Sequence, residues 1–303
     1  MSNNLYVKDD EINKSKSSYA IYANEDIKYE GKARKIEMKD VALALQRNIH
    51  LMDALAYEIL NVIYLFKYSS SRQITEYLNI IKKIDVTQEK VCKKIDKLNK
   101  LSIISRYGFY NLESEKEVGM KAYCLENNGK ILLKGKGYPC EWKYTDIIND
   151  ISTIKSYLAR NQFVIKLYKE SNKIQEVNLN PFSISNGCIY KLEGGIGHVL
   201  IPIRTNQNYQ REIIDVISKL MKSPEYLSLL NKKIIILTEE VKHTVIVCNT
   251  LMQNSLYLDN MYFIQDMKLF NTDLKKSFSR LTFIESDDKK LQVRVDNQVI
   301  EDF

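Results

Sequence analysis

The chain has 303 residues, room for two domains, and is 45% hydrophobic, which excludes a disordered protein. Its net charge is +7, and the excess is local: residues 41–143 carry 17 basic and 11 acidic side chains, against 8 and 8 in residues 1–40 and 20 and 19 in residues 144–303. Charge concentrated in this way is the footprint of an anionic partner, while the lack of any apolar run near 18 residues speaks against a membrane span.

Residues 1–38 are polar, mixed in charge and without a sustained period, so they read as a flexible arm with a short ordered piece near Tyr19–Tyr22. The start is polar and lacks the apolar core of a signal peptide, and five cysteines at 92, 124, 140, 188 and 248 form no Cys-x-x-Cys pair. Both features predict a reduced, cytoplasmic protein with no membrane partner. From Asp40 a long helical signal begins, with Leu51, Leu55, Ile59, Val62, Ile63 and Phe66 at spacings of three and four and Asp53 as a cap. Ser69–Ser71 interrupt it. A second short helix follows, capped by Ser70 or Ser71, with Ile74, Leu78 and Ile81 facing inward.

A third helix runs from its cap at Thr87 to about Leu101. Val91, Ile95 and Leu98 form one apolar stripe, and Lys90, Lys93, Lys94 and Lys97 form a second at i, i+3, i+4 and i+7. At 100° per residue the two stripes lie about 110° apart. Such a helix can bury one side and offer ammonium groups on another. "SIISRYGFYNL" and "MKAYCLE" then read as two strands around the polar loop "ESEKEVG", and "NNGKILLKG" opens a further helix.

Three helices followed by a β-hairpin, closed by "YCLENNGKILL", resemble the winged helix-turn-helix of bacterial regulators over residues 50–137. The resemblance implies a DNA-binding domain over 39–137, with helix 87–101 in the major groove. Thr87, Gln88, Lys90, Lys93, Lys94 and Lys97 are its candidate contacts, Arg72 and Gln73 suit backbone phosphates, and Arg106 and Lys121 flank the wing. The acidic tip of "ESEKEVG" argues against a wing pushed deep into the minor groove.

Residues 138–160 read as a connector, turn-like over "YPCEWKYTD" with Trp142 as a packing residue and helical over "IINDISTIKSYLAR". Residues 161–284 alternate strands and helices: "FVIKLYKE", "GCIYKLEGG" and "IGHVLIPIRT" as strands, "NYQREIIDVISKLMKSPEYLSLL" as a helix, "KKIIILTE" as a buried strand and "NMYFIQDMKLF" as a last strand. The tail 285–303 is charged and reads as loose. The fold class expected is therefore α+β: a winged helix-turn-helix followed by a small α/β domain with a mixed central sheet.

The layout of the second half is similar to the PD-(D/E)xK nucleases, as joined to a winged helix in the replication-relaxation family of mobile-element proteins. That resemblance implies acidic residues that hold Mg²⁺. Here Pro181-Phe182 puts Phe where a ligand Asp would stand, and Pro202-Ile203-Arg204 offers no carboxylate. The expectation is an inactive relative without cofactor or metal, serving as a homodimer interface or a surface for a partner protein. Glu239-Glu240 read as a surface pair at a strand end, and the Gly194–Gly197 run as a hairpin turn.

The function expected is sequence-specific binding of double-stranded DNA for a bacterial plasmid or mobile element, in transcription control or in replication and transfer. Two rivals stand beside it. One is a Mg²⁺-dependent nuclease that uses Glu176, Glu193 or Asp215; the other is a winged helix that binds protein instead of DNA.

Overall fold

The computed structural model describes residues 17–22, 25–30, 38–47, 49–113, 117–140, 150–179, 181, 186–285 and 291–300. The chain is a mixed α+β protein that divides into two compact units, one of residues 22–165 and one of residues 1–21 with 166–303.

In the first unit the long helical signal resolves into α1 (Met38–Arg47), a 3-10 turn (Ile49–Met52) and α2 (Ala54–Phe66). The break lies at Asp53, whose Oδ1 accepts the Ala56 N–H at 2.9 Å and so starts a new helix. Ala56, Ile59, Leu60, Val62, Ile63 and Phe66 of α2 are wholly buried and form the centre of this core. Helix α3 (Ser71–Ile80) begins with a reciprocal capping box, in which Ser70 Oγ accepts the Gln73 N–H and Gln73 Oε1 accepts the Ser70 N–H, each at 3.2 Å. Helix α4 (Gln88–Lys100) follows a turn that Asn79 holds by two hydrogen bonds to Val86, at 3.0 and 3.1 Å.

Four antiparallel strands complete the unit: β1 (Glu25–Glu30), β2 (Tyr68–Ser69), β3 (Ile104–Asn111) and β4 (Glu117–Leu125), ordered β1-β3-β4-β2. The flexible arm expected over 1–38 is corrected at β1, where Glu25–Glu30 pair with Arg106–Asn111 and cover an edge of β3 that would otherwise stay open. The Tyr29 hydroxyl donates to Glu126 at 2.6 Å and lies 2.9 Å from Ser105 Oγ, and Glu25 forms a buried ion pair with Lys155. Helix α5 (Asn127–Gly135) follows β4 closely. A Cβ on Gly129 would stand 2.4 Å from the Ile103 carbonyl oxygen, so only glycine permits this approach.

Helix α6 (Ile151–Glu170) carries the helix expected in "IINDISTIKSYLAR" onward through the expected strand "FVIKLYKE". Val164 and Ile165 carry the strand signal, but every residue from Ile154 to Ile165 is buried, and burial all round a helix erases its period. The Gln73 Nε2, Arg160 Nη2 and Asn161 Nδ2 groups donate to the Leu158, Phe66 and Tyr68 carbonyls at 2.6, 3.0 and 2.6 Å, which satisfies backbone oxygens between α2, α3 and α6.

The second unit is built on one mixed sheet of seven strands, β5 (Ile174–Asn178), β6 (Cys188–Leu192), β7 (Ile196–Pro202), β8 (Leu230–Thr238), β9 (Met261–Gln265), β10 (Phe278–Glu285) and β11 (Leu291–Gln298), in the order β11-β10-β9-β8-β7-β6-β5. Strands β7, β8 and β9 run parallel and the other pairings are antiparallel. Gly194 and Gly195, both at φ +77°, turn the chain between β6 and β7. The single helix expected over 208–230 splits into α7 (Tyr209–Leu220) and α8 (Pro224–Leu227), because Ser223 caps a new helix with Pro224 in its first turn. Helix α9 (Val241–Gln253) connects β8 to β9. One face of the sheet packs Val199, Ile201, Ile234, Ile236 and Phe263 against Ile213 and Ile217 of α7 and Val245 of α9.

Two further expectations are corrected. "NMYFIQDMKLF" is strand β9 followed by a short helix, α10 (Asp266–Asn271). Within the tail expected to be loose, Leu291–Gln298 form β11, paired residue for residue with β10 from Phe278↔Gln298 to Glu285↔Leu291.

Candidate nucleic-acid interface

Helix α4 owes its position to its capped start and to one face. Thr87 Oγ1 accepts the Lys90 N–H at 3.3 Å, and Val91, Ile95 and Leu98 are wholly buried. Burying three such side chains is worth about 1.5–3 kcal/mol each. The opposite side carries Gln88, Glu89, Lys90, Lys93, Asp96 and Lys97, all exposed.

The ten residues expected at a DNA surface fall into distinct settings. Thr87, Gln88, Lys90, Lys93 and Lys97 lie together on the exposed side of α4, with Gln88 Nε2 3.3 Å from Ser71 Oγ and Lys93 Nζ 2.5 Å from Glu89. Arg72, also exposed, pairs with Glu76 at 2.7 Å. Lys94 departs from the expected ridge. Its side chain is only 13% exposed, and its ammonium donates to Asp53 Oδ2 at 3.0 Å and to the Leu51 carbonyl at 3.2 Å. Gln73 departs further, being wholly buried with its amide committed to Leu158 and to the Ser70 cap. In both cases a polar side chain beside the exposed face meets backbone groups that need a partner and is drawn inward. Arg106 and Lys121 are half-buried on β3 and β4, where β1 flanks β3. The tip of the hairpin loop lies outside the described residues.

The Asp53 carboxyl joins two tasks. Burial pushes its pKa up, but the Ala56 N–H and the Lys94 ammonium outweigh this and hold it below the usual carboxylate range. The α2 cap is therefore ionised at neutral pH and fixes Lys94 against the helix.

In the second unit, Pro181 is buried, and Phe182 lies outside the described residues, as does Trp142 of the connector. Arg204 of the Pro-Ile-Arg run is 1% exposed and donates through Nη1 to Asp266 Oδ2 at 2.7 Å. Glu239 is not a surface residue: it is 1% exposed and accepts the Thr205 N–H at 2.7 Å and the Thr205 hydroxyl at 3.0 Å. Asp266 escapes sequence reasoning because its run reads as continuous strand. Glu176, Glu193 and Asp215 are all exposed, and Glu176 pairs with Lys191 at 2.9 Å. Among the described residues no group of three or more His, Cys, Asp or Glu is placed to hold a metal ion. Nor is any described helix long and apolar enough to cross a membrane. No family model matches the chain, and no curated protein and no solved structure matches it either.

Proposed function

We propose that the protein binds double-stranded DNA through a winged helix-turn-helix, with α4 in the major groove, and serves transcription control or DNA replication and transfer on a bacterial plasmid or mobile element. The observation that carries this reading is the division of α4 into a buried stripe, Val91, Ile95 and Leu98, and an exposed side bearing Lys90, Lys93 and Lys97. Helix α3, the Asn79-braced turn and the strands β3 and β4 after α4 support it, as does the net positive charge of this region. The ammonium groups supply phosphate attraction, and Gln88, at the N-terminus of α4, is the residue suited to read a base edge. A major groove about 12 Å wide admits a helix of this kind.

The second unit, on this reading, follows the layout of PD-(D/E)xK nucleases without their ligand set and acts as a homodimer or partner-protein interface. The protein itself does no chemistry. A two-fold dimer would double the small reading surface of one α4.

The test is selection of duplexes from a random pool by the full chain, followed by affinity measurement over a range of salt. The expected result is an enriched sequence whose affinity falls steeply with salt, because each neutralised phosphate releases counterions. Absence of enrichment, or affinity indifferent to salt, overturns the reading. Sedimentation of the complex as a single chain on one duplex overturns the dimer.

A further inference from the structure

At the C-terminal ends of three adjacent parallel strands, the register sets Arg204, Glu239 and Asp266 side by side, because Pro202 is opposite Leu237 and Thr238 is opposite Gln265. All three are buried to 1% exposure or less. Arg204 uses Nη1 on Asp266, while its Nε and Nη2 are buried and meet no hydrogen-bond partner among the described residues, and neither does Asp266 Oδ1. Nε and Nη2 form the edge of a guanidinium that grips a carboxylate or phosphate with two parallel N–H···O bonds. Buried donors of this kind call for a partner, since a buried polar group left unmet costs free energy. Ligands of open α/β sheets bind beyond the carboxyl ends of parallel strands.

A segment from far upstream reaches this place. Ser17 Oγ donates at 2.7 Å to Asp266 Oδ2, the oxygen that also accepts from Arg204, and accepts the Tyr19 N–H at 3.1 Å. The Tyr19 ring lies 5.2 Å from that of Phe270, and Ser17, Tyr19 and Ala20 are buried. The charges nearby are one guanidinium and two carboxylates, and burial, with the Glu239 carboxylate, pushes the Asp266 pKa up, so an entering anion depends on the two-donor grip and on the offsets to Glu239. Asp266 and Arg204 form one pair, and Glu239, held by Thr205, lies two residues before α9, whose N-terminus carries partial positive charge and no side-chain cap bond.

We infer that the free Nε/Nη2 edge of Arg204 is a binding site for a small oxyanion, a carboxylate or a phosphate group, and that the Ser17–Ala20 segment is a strap which must lift to admit it. The strap competes with the ligand, so loosening it raises the apparent affinity by up to the inverse of the fraction of molecules that had stood open. The site is independent of the DNA reading, and its failure leaves that reading untouched.

The experiment titrates the full chain, at constant ionic strength, with inorganic phosphate in one arm and acetate in the other. It follows the arginine Nε–H resonances by NMR, with Arg204 assigned by through-bond correlation to its own backbone. Saturable movement of the Arg204 resonance is expected with at least one anion, and the arm that saturates first identifies the preferred oxyanion. In the Ser17→Ala, Tyr19→Ala variant the apparent affinity should rise about tenfold or more, as strap competition requires. Arg204→Lys keeps the charge, lacks the fork, and should abolish saturation, read in parent and variant alike from the backbone amide resonances of Thr205 and Asp266. If Arg204→Lys does not fold, the resonance shift in the strap variant decides alone. No saturable shift in the strap variant, an unchanged affinity there, or saturation that survives Arg204→Lys (an adventitious ion only) overturns the inference.

Discussion

Lys94 Nζ lies 3.0 Å from Asp53 Oδ2, joining the middle of α4 to the cap of α2. The same ammonium donates to the Leu51 carbonyl. Four lysines that form one stripe on a helical wheel are therefore two kinds of residue: one that fastens the helix to its own core, and three that face outward.

This difference sets the first prediction. Replacing Lys90, Lys93 and Lys97 together by Gln should leave the folded state almost unchanged and cut the slope of log affinity against log salt by about 0.9 for each phosphate no longer neutralised. Lys94→Met should act in the opposite sense. It should leave the salt slope intact and lower stability by up to about 1 kcal/mol, the usual worth of a partly exposed pair. Anisotropy titrations at several salt concentrations, beside urea melts, separate the two outcomes. Equal loss of affinity from Lys94→Met and from the triple variant would show that the bridge opens on DNA.

Gln73 provides a second contrast. Its side chain closes the capping box of α3 and also donates to the Leu158 carbonyl at 2.6 Å. Gln73→Ala removes both and leaves a buried carbonyl unmet, at a cost of about 1–3 kcal/mol. Under the proposed function the same variant, once folded, should select the same DNA sequences as the parent. A changed sequence preference would place Gln73 at the groove, against its burial.

The contrast between these residues also shows what a sequence carries. The caps at Asp53, Ser70 and Thr87, and the buried Val91, Ile95 and Leu98, are legible because capping and the 3.6-residue period are local. Gln73 and Lys94 are not, because their partners, Leu158 and Asp53, come from distant parts of the chain. Helix α6 is legible in its first part, "IINDISTIKSYLAR", and hides its type only over "FVIKLYKE", where burial up to Ile165 removes the alternation that marks a helix. Strand β11 hides in a charged tail, although "LQVRV" alternates with the period of a strand. The row of Arg204, Glu239 and Asp266 is the least legible, since only the register of three strands brings the residues together.

Gly129 tests the close packing of α5. A methyl group there would meet the Ile103 carbonyl at 2.4 Å and the Leu125 side chain at 2.6 Å, and the first of these is backbone that cannot turn aside. Gly129→Ala should therefore destabilise by about 1–3 kcal/mol, the usual cost of overpacking, although alanine is the better helix former. Gly135 has nothing within 4 Å of its built Cβ and serves as the control. Gly135→Ala should be neutral or slightly stabilising by denaturant melt. Similar losses at the two positions would remove the steric explanation.

Tyr29 makes the attachment of β1 dependent on pH. Burial, with the Glu126 carboxylate that its hydroxyl meets, pushes its pKa from 10.0 up to about 12. The folded state therefore favours the protonated phenol. The stability this supplies is fully present below pH 10, is lost as pH rises from about 10 to about 12, and is absent above that. Tyr29→Phe, which has no proton to lose, should be less stable than the parent at about pH 8 and should show a smaller fall between about pH 10 and 12. Hydrogen exchange of the β1 amides, compared in the two proteins at several pH values, reads this directly. The parent should lose protection of Glu25–Glu30 over that interval, and identical profiles in parent and variant would remove Tyr29 from the attachment of β1.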